Sequence, residues 1–404
     1  MKLPDASWRK RVGLVPLLRV LGAGEGLTRY VGGCVRDTLL KVSVSDVDLA
    51  TRLEPEEVVR RLKAASIKVI PTGLSHGTVT AVSGGQPVEV TTLRRDVSTD
   101  GRRATVAFTD DWREDAARRD FTINALSADP HSGELFDYFG GLDDLAARRV
   151  RFIGDPLRRI AEDHLRILRF FRFHARFGAG AAPDAEALAA CTARANDLMA
   201  LSRERIASEL LRLLALPDPV ATVRIMIDHF ILRPVLPEIV AARRLERLVA
   251  RERECGLEPQ PIRRLASLIP EDPGIAESIA HRLRLSSGQR MVLAGDCDRT
   301  NWRSGSAFQR AYRVGLETAI DRLLLSEEPL ALVREQVRLL SSQPLPELPI
   351  KGSDLIAMGL PRGPLVSRVM AQVGEQWVNE DFPPAQRLQE IAQAAVDEAL
   401  RSSR

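Results

Sequence analysis

Strand-type patterning in this 404-residue chain is confined to its first third, and that confinement limits its folds more than any other feature. Between residues 28 and 93, short runs rich in β-branched residues alternate with glycine turns. Beyond about residue 150 the alternation gives way to apolar residues at helical spacing. The expected fold class is α+β: a head with a small mixed or antiparallel sheet and helices, followed by an all-α remainder. No internal repeat or low-complexity tract interrupts this plan.

The spacing predicts strands at 29–31 and 44–50 with a helical turn at 35–40 between them. A helix then opens at Glu54-Pro55-Glu56-Glu57, with proline in the first turn, where its missing N–H costs nothing. Gly84-Gly85 reverses the chain between the runs 72–80 and 87–92, a hairpin. Residues 94–119 read as a long polar loop with a turn at Asp100-Gly101, and such loops are usually functional or disordered. The head is expected to end near residue 150, giving 1–150 as the first domain. A single helix is expected over 153–177, with Ile160, Ile167, Leu168 and Phe171 on one stripe, then helices at 185–199 and 202–214, making 151–216 a helical neck. Pro217-Asp218-Pro219 opens a helical body at 217–342, and the proline-rich stretch 343–349 leads into a helical tail at 343–404.

The formal charge is only +4, so a surface for an acidic partner has to come from local clustering. It does cluster: residues 148–176 hold nine arginines against three acids, which reads as a surface for an RNA backbone or, for the arginines at its start, as a solvated face. Phe170, Phe171, Phe173 and Phe177 in the same stretch read as core and not as base-stacking platforms. Cys34, Cys191, Cys255 and Cys297 have neither disulfide-framework nor zinc spacing, as in a reduced, cytoplasmic chain. Arg9-Lys10-Arg11 followed by an apolar run imitates a signal peptide, but Pro16 and Arg19 interrupt it, so an amphipathic first helix is expected. No apolar run is long enough to span a bilayer, and no membrane partner is expected.

Asp46 and Asp48 lie two apart in an apolar-alternating run, so a strand projects both carboxylates from one face and Val47 and Leu49 from the other. Two hard oxygen ligands on one face suit Mg²⁺, although the same triplet also reads as a solvated turn. Glu89, between Val88 and Val90, puts a third acid on one face of a neighbouring strand. Gly32-Gly33 before a helix start offers backbone N–H groups to phosphate oxygens, with Arg36 adding charge, or is only a tight turn. It matches neither the dinucleotide fingerprint nor the P-loop. Asp163 and Arg166, three apart, fall on one helical face and offer acceptors and donors together, either a reader of base edges or a surface ion pair.

In order, Gly32-Gly33-x-x-Arg36-Asp37, Asp46-x-Asp48, His76-Gly77-Thr78, Glu89-x-Thr91-Thr92 and Arg118-Arg119-Asp120-Phe121-Thr122-x-Asn124-Ala125 resemble the class II tRNA nucleotidyltransferase and poly(A) polymerase family. The resemblance continues through Gly140-Gly141-x-Asp143, Asp155-Pro156, Glu162-Asp163-x-x-Arg166-x-x-Arg169-x-x-Arg172-Phe173, Ser202-x-Glu204-Arg205 and the tail run from Gly352 to Pro364, so it covers nearly the whole chain. It implies template-independent, metal-dependent transfer of a nucleoside monophosphate to an RNA 3′-hydroxyl, with pyrophosphate leaving. On that resemblance Asp46 and Asp48 bind two Mg²⁺ and Glu89 supports them as the third catalytic acid. Gly32, Gly33 and Arg36 take the triphosphate, and Arg118, Arg119, Asp120 and Asn124 contact ribose and phosphates. Asp163 and Arg166, with Arg169 and Arg172 on the same helix, are implied to act as an amino-acid template for the base.

Members of the family differ in product. The implied flexible loop after the Glu89 strand is long here and retains Asp100, Arg102 and Arg103, which favours complete CCA addition to the tRNA 3′ end from CTP and ATP. Partners are then the tRNA acceptor arm and the two triphosphates, with no DNA. Poly(A) polymerase, or a CC-only or A-only enzyme, is the alternative, and a catalytically dead RNA-binding adaptor would have lost one of the three acids. No His-Asp dipeptide marks an appended phosphohydrolase.

Overall fold

The computed structural model describes residues 1–100, 103–178, 180–300, 302 and 305–402. Two units emerge: Met1–Leu213 with Ala221–Val235, and Leu214–Val220 with Leu236–Arg404.

The first unit is built on strands β1 (Thr28–Val31), β2 (Asp48–Thr51), β3 (Lys68–Gly73), β4 (Thr78–Ser83), β5 (Gln86–Thr92), β6 (Arg94–Asp100), β7 (Arg103–Phe108), β8 (Ser127–Ala128) and β9 (Leu135–Phe136). Seven form one mixed sheet in the order β3-β4-β5-β2-β1-β8-β9, while β6 and β7 pair separately. Every neighbouring pair in the large sheet is antiparallel except β2 and β5, which run parallel with Asp48 opposite Glu89. The strands bury alternate residues as half-buried strands must, Val88 and Val90 inward with Glu89 outward. Gly84 and Gly85 both have positive φ (59° and 76°), the backbone of a two-residue hairpin turn whose twist matches its strands.

Two expectations about strands need correcting. The chain from Val42 to Val47 is irregular and β2 begins only at Asp48, so Asp46 precedes the strand instead of lying in it. Residues 94–119 are not a loop. They form the β6–β7 hairpin, with Asp100 opposite Arg103, and the helix Trp112–Ala117, capped by Asp111 through the Arg113 N–H at 2.8 Å. Polar and charged residues at alternate positions concealed this hairpin. Arg102 lies outside the described residues, and Asp100 and Arg103 are described by their backbone pairing.

The helix Pro55–Ala64 begins on its proline, carries Glu56 and Glu57 in its first turn and Arg61 and Lys63 in its last, and buries Val58 and Leu62. The first helix, Leu14–Val20, buries Leu14, Leu17 and Leu18, as its amphipathic pattern predicts. The single helix expected over 153–177 is two, Pro156–Glu162 and Arg166–Phe177. Asp163 breaks it: its backbone is extended (φ −154°, ψ 105°) and its carboxylate accepts the Leu165 N–H at 3.2 Å while its carbonyl accepts that of Arg166 at 3.0 Å. Aspartate competes with the helix ladder in this way, which is why it favours caps over helix interiors. Ile160, Ile167, Leu168 and Phe171 are all buried on the predicted stripe, and Phe170 and Phe173 join the core.

Helices joined by loops build the second unit, with no strand among its described residues. Its interior includes charge: Glu252 takes Arg263 at 2.6 Å and Arg264 at 2.8 Å, and Arg263 reaches Asp321 at 2.7 Å. The proline-rich linker is extended, and the tail helices Gly352–Ala357, Pro364–Asn379 and Ala385–Ser402 close over Leu355, Val373, Trp377 and Val396. Among the described residues no helix is long and apolar enough to cross a membrane.

Candidate active site

The parallel pairing of β2 and β5 sets Asp48 directly beside Glu89 in the middle of the sheet. Asp48 is half-buried and Glu89 exposed, while Val47 and Leu49 anchor the chain on either side of Asp48. Burial pushes the Asp48 carboxyl up to about 6; the negative charges of Glu89 and Asp46 add to the rise and the Arg119 charge opposes it. Asp46 is exposed on the chain entering β2, its Oδ2 accepting from Ser45 Oγ at 2.8 Å.

Among the described residues no three acidic, histidine or cysteine side chains converge on a single point, so the three-acid cage is not preformed. The donors nevertheless suit Mg²⁺. It is a hard cation commonly held by one or two carboxylates, with waters and substrate phosphates completing its shell. Here burial, with the neighbouring acids adding to it, raises the pKa of Asp48, the other two acids remain open to water, and a dication between them would relieve their repulsion.

Above the acids the chain turns at Gly32 (φ 67°, ψ −122°) into the helix Gly33–Leu39. Gly32 donates its N–H to Leu126 O at 3.0 Å, and a Cβ there would stand 3.2 Å from Arg119 Nη1, so a side chain at this position meets both strain and the arginine. Gly33 and the residues after it head the helix, where backbone N–H groups lack intrahelical partners.

Arg36, expected at the triphosphate, is buried (5% exposed). Its Nε donates to Asp37 at 2.7 Å, its Nη1 to Asn124 Oδ1, and its guanidinium lies 4.2 Å from the Phe177 ring. Asn124 in turn donates to Asp120 Oδ1 at 2.9 Å, and Asp120 Oδ2 accepts from Arg169 Nε at 2.9 Å. Burial pushes the Asp120 carboxyl up, but Arg169, the Asn124 amide and the Phe121 N–H together outweigh it and the net shift is downward. Arg36, Asn124 and Asp120, all buried, and the half-buried Arg169 therefore form one hydrogen-bonded chain, with Arg176 reaching Asp37 at 3.1 Å.

Arg118 and Arg119 are half-buried on the turn that follows the helix Trp112–Ala117. Asp115 holds both, Arg118 Nε at 2.8 Å and Arg119 Nη2 at 3.1 Å, and also accepts the backbone N–H of Arg94, the first residue of β6, at 3.3 Å. Against the upward push of burial, Arg119 and Arg118 hold the Asp115 carboxyl below its ordinary value. The sequence reading passed over Asp115, though its placement three and four residues before the arginines on one helix was a legible signal.

The expected Asp163–Arg166 pair on one helical face does not form. Asp163 sits in the break and accepts Arg205 Nη2 at 3.0 Å on each oxygen, whereas Arg166 Nη1 donates to Glu162 Oε2 at 2.6 Å. Arg172 Nε donates to Glu209 at 2.6 Å. Both residues of the expected pair remain half-buried and within the first unit. Arg205 and Glu162 now stand as the groups that orient them.

Residues 28–151 match the family model described as the poly A polymerase head domain, and residues 182–243 match that described as a probable RNA and SrmB-binding site of polymerase A. The chain is 33% identical over 372 residues to the human mitochondrial CCA tRNA nucleotidyltransferase 1, covering 88% of this chain and 83% of that one. It is 43% identical over 200 residues to the CCA-adding enzyme of Oceanobacillus iheyensis, covering 49% of this chain and 48% of the other. The solved structure of the Bacillus stearothermophilus CCA-adding enzyme in complex with CTP superposes with a TM-score of 0.74 at 26% identity, over 96% of this chain and 97% of that one. The Thermotoga maritima CCA-adding enzyme complexed with tRNA shares the fold over the full length of both chains, with a TM-score of 0.68 at 19% identity.

Proposed function

This chain belongs to the family of CCA tRNA nucleotidyltransferases, and on that premise we propose that it adds CCA to the 3′ end of tRNA from CTP and ATP, without a nucleic-acid template, by the site at Asp46, Asp48 and Glu89. The observation that carries the assignment of the site is the in-register meeting of Asp48 and Glu89 at the centre of the sheet, with Arg119 close to both Asp48 and the glycine turn.

Asp46 and Asp48 would hold Mg²⁺, two ions in our reading, with Glu89 adjoining. A dication held by these residues would supply a lowered pKa for the RNA 3′-hydroxyl and neutralisation of charge on the triphosphate. The chain's own groups do the rest. The glycine turn presents N–H groups to phosphate oxygens. Arg118 and Arg119, kept apart and oriented by Asp115, meet ribose and phosphates. The hydrogen-bonded chain Arg36–Asn124–Asp120–Arg169 holds the glycine turn rigid, so the reacting atoms need little reorganisation. Asp163 and Arg166, held by Arg205 and Glu162, face the base with acceptors and donors.

In this reading residues 1–150 form the catalytic head, 151–216 a neck that chooses the base, and 217–342 and 343–404 a body and tail that hold the tRNA acceptor arm. The match of residues 28–151 to a polymerase head supports the first of these. A reducing compartment, the cytoplasm, suits four unpaired cysteines of which three are buried.

The test offers the protein tRNA transcripts lacking CCA or lacking only A, and an unrelated RNA, with labelled CTP and ATP. Addition of C, C and A to the tRNAs alone is expected, and a growing A ladder on every RNA would overturn the CCA reading in favour of a poly(A) polymerase. Asp48→Ala is expected to lower kcat by about a thousandfold, the several kcal/mol of charge stabilisation expressed as a rate. Near wild-type incorporation by that variant would remove the metal assignment.

A further inference from the structure

The helix Trp112–Ala117 ends at Arg118 (φ −77°, ψ −12°), and the carbonyls of a last helical turn have no partner within their helix. Here one guanidinium takes the carbonyl of the helix's C-cap residue and the carbonyl that follows it. Arg159 Nη2 donates to Arg118 O and, at 2.5 Å, to Arg119 O, and its Nη1 donates to Glu162 Oε2. That same glutamate oxygen accepts from Arg166 Nη1 at 2.6 Å. Arg166 closes the circuit, donating through Nη1 to Arg159 O at 2.8 Å and through Nη2 to Arg118 O at 3.4 Å. Arg159 is 7% exposed, a cation at the negative end of a helix dipole where a released donor or acceptor would be buried.

We propose that Arg159 is a positioning residue for substrate discrimination, coupling the base-facing Arg166 to the backbone from which Arg118 and Arg119 reach the triphosphate. The inference rests on the nucleotidyl-transfer reading above and adds to it a link between base and phosphates. A base that draws Arg166 out of line pulls on Glu162 and Arg159, and so on the turn carrying Arg118 and Arg119. The wrong nucleotide is thereby badly seated at its phosphates as well as at its base edge. Arginine suits the task because its planar fork can hold two carbonyls and a carboxylate at once, whereas an ammonium is a point charge on a flexible stem.

The experiment measures kcat and KM for CTP, ATP, UTP and GTP on tRNA lacking CCA and on tRNA lacking only A. It uses the full-length wild type, Arg159→Gln, Arg159→Lys, Arg166→Ala and the Arg159→Gln/Arg166→Ala double variant, with melting curves for each. Arg159→Gln is expected to raise KM for all four nucleotides and to lower the cognate to non-cognate ratio of kcat/KM by about tenfold. Arg166→Ala lowers that ratio further, and the double variant discriminates no worse than Arg166→Ala alone, because Arg159 acts on discrimination through Arg166. Arg159→Lys keeps the wild-type melting temperature and not the ratio. A wild-type ratio in Arg159→Gln, or in Arg159→Lys should the former not fold, overturns the inference, as does a double variant whose loss is the product of the single losses. Failure of the wild type to add C and A, or an unchanged ratio in Arg166→Ala, instead overturns the underlying nucleotidyl-transfer reading and the inference with it.

Discussion

Asp115 carries more of the candidate site than its anonymity in the sequence suggests. Its side chain is 4% exposed and is the shared partner of Arg118 and Arg119, themselves 16% and 20% exposed. Removing one member of a buried ion pair strands the rest. Asp115→Asn should therefore raise KM for both nucleotides while costing about 3 kcal/mol of stability, read by steady-state kinetics and urea unfolding. An unchanged KM would show that the two arginines hold their places without it. At this scale the sequence was legible for Asp48 and Glu89, because alternation alone settles which face of a strand a residue occupies. The partners of Arg36 and Asp163 were not legible, because Asn124 and Arg205, which hold them, lie far off in sequence.

Among the elements, the Gly84-Gly85 turn shows how far local chemistry reaches. Both residues have positive φ, but their surroundings differ: a Cβ on Gly84 would lie 1.9 Å from Val12 O, while nothing lies within 4 Å of one on Gly85. Gly84→Ala is expected to destabilise the protein by about 2 kcal/mol or more, since strain and collision act together, whereas Gly85→Asn should stay within about 0.5 kcal/mol. Chemical denaturation of the two variants checks this, and equal losses would mean that the chain near Val12 gives way. The hairpin was readable because its turn residues are dictated by twist. The β6–β7 hairpin was missed because its strands carry charge at positions where the pattern calls for apolar residues. The break at Asp163 was missed because the apolar stripe runs through it without a fault, Ile160 and Ile167 both being fully buried.

For the molecule as a whole, stability divides between two units, and the second contains an unusual liability. Asp296 is 1% exposed, and neither carboxylate oxygen has a hydrogen-bond partner among the described residues. Burial, with Asp321 nearby, pushes its carboxyl up to about 8 despite Arg263, Arg322 and Arg299. A group whose pKa rises on folding binds more protons in the folded state, so stability falls as pH climbs from about 4 through 8. Asp296→Asn should raise the melting temperature at pH 8 and flatten that slope, leaving the transition of the first unit unmoved; calorimetry across this range would reveal it, and an unaltered slope would refute it. The confinement of strands to the first third and the helices after it were readable from periodicity, whereas a buried acid such as Asp296 leaves no mark in a sequence. The pairing of β2 with β5 bears on how the protein comes into being. Strands that run parallel need a long crossover, here the helix Pro55–Ala64 together with β3 and β4, so Glu89 arrives beside Asp48 only after that excursion is complete. A nascent chain that has released Asp46 and Asp48 but not yet β5 lacks the strand that brings Glu89 beside Asp48, so the meeting of these two acids becomes a timestamp for closure of the sheet during synthesis.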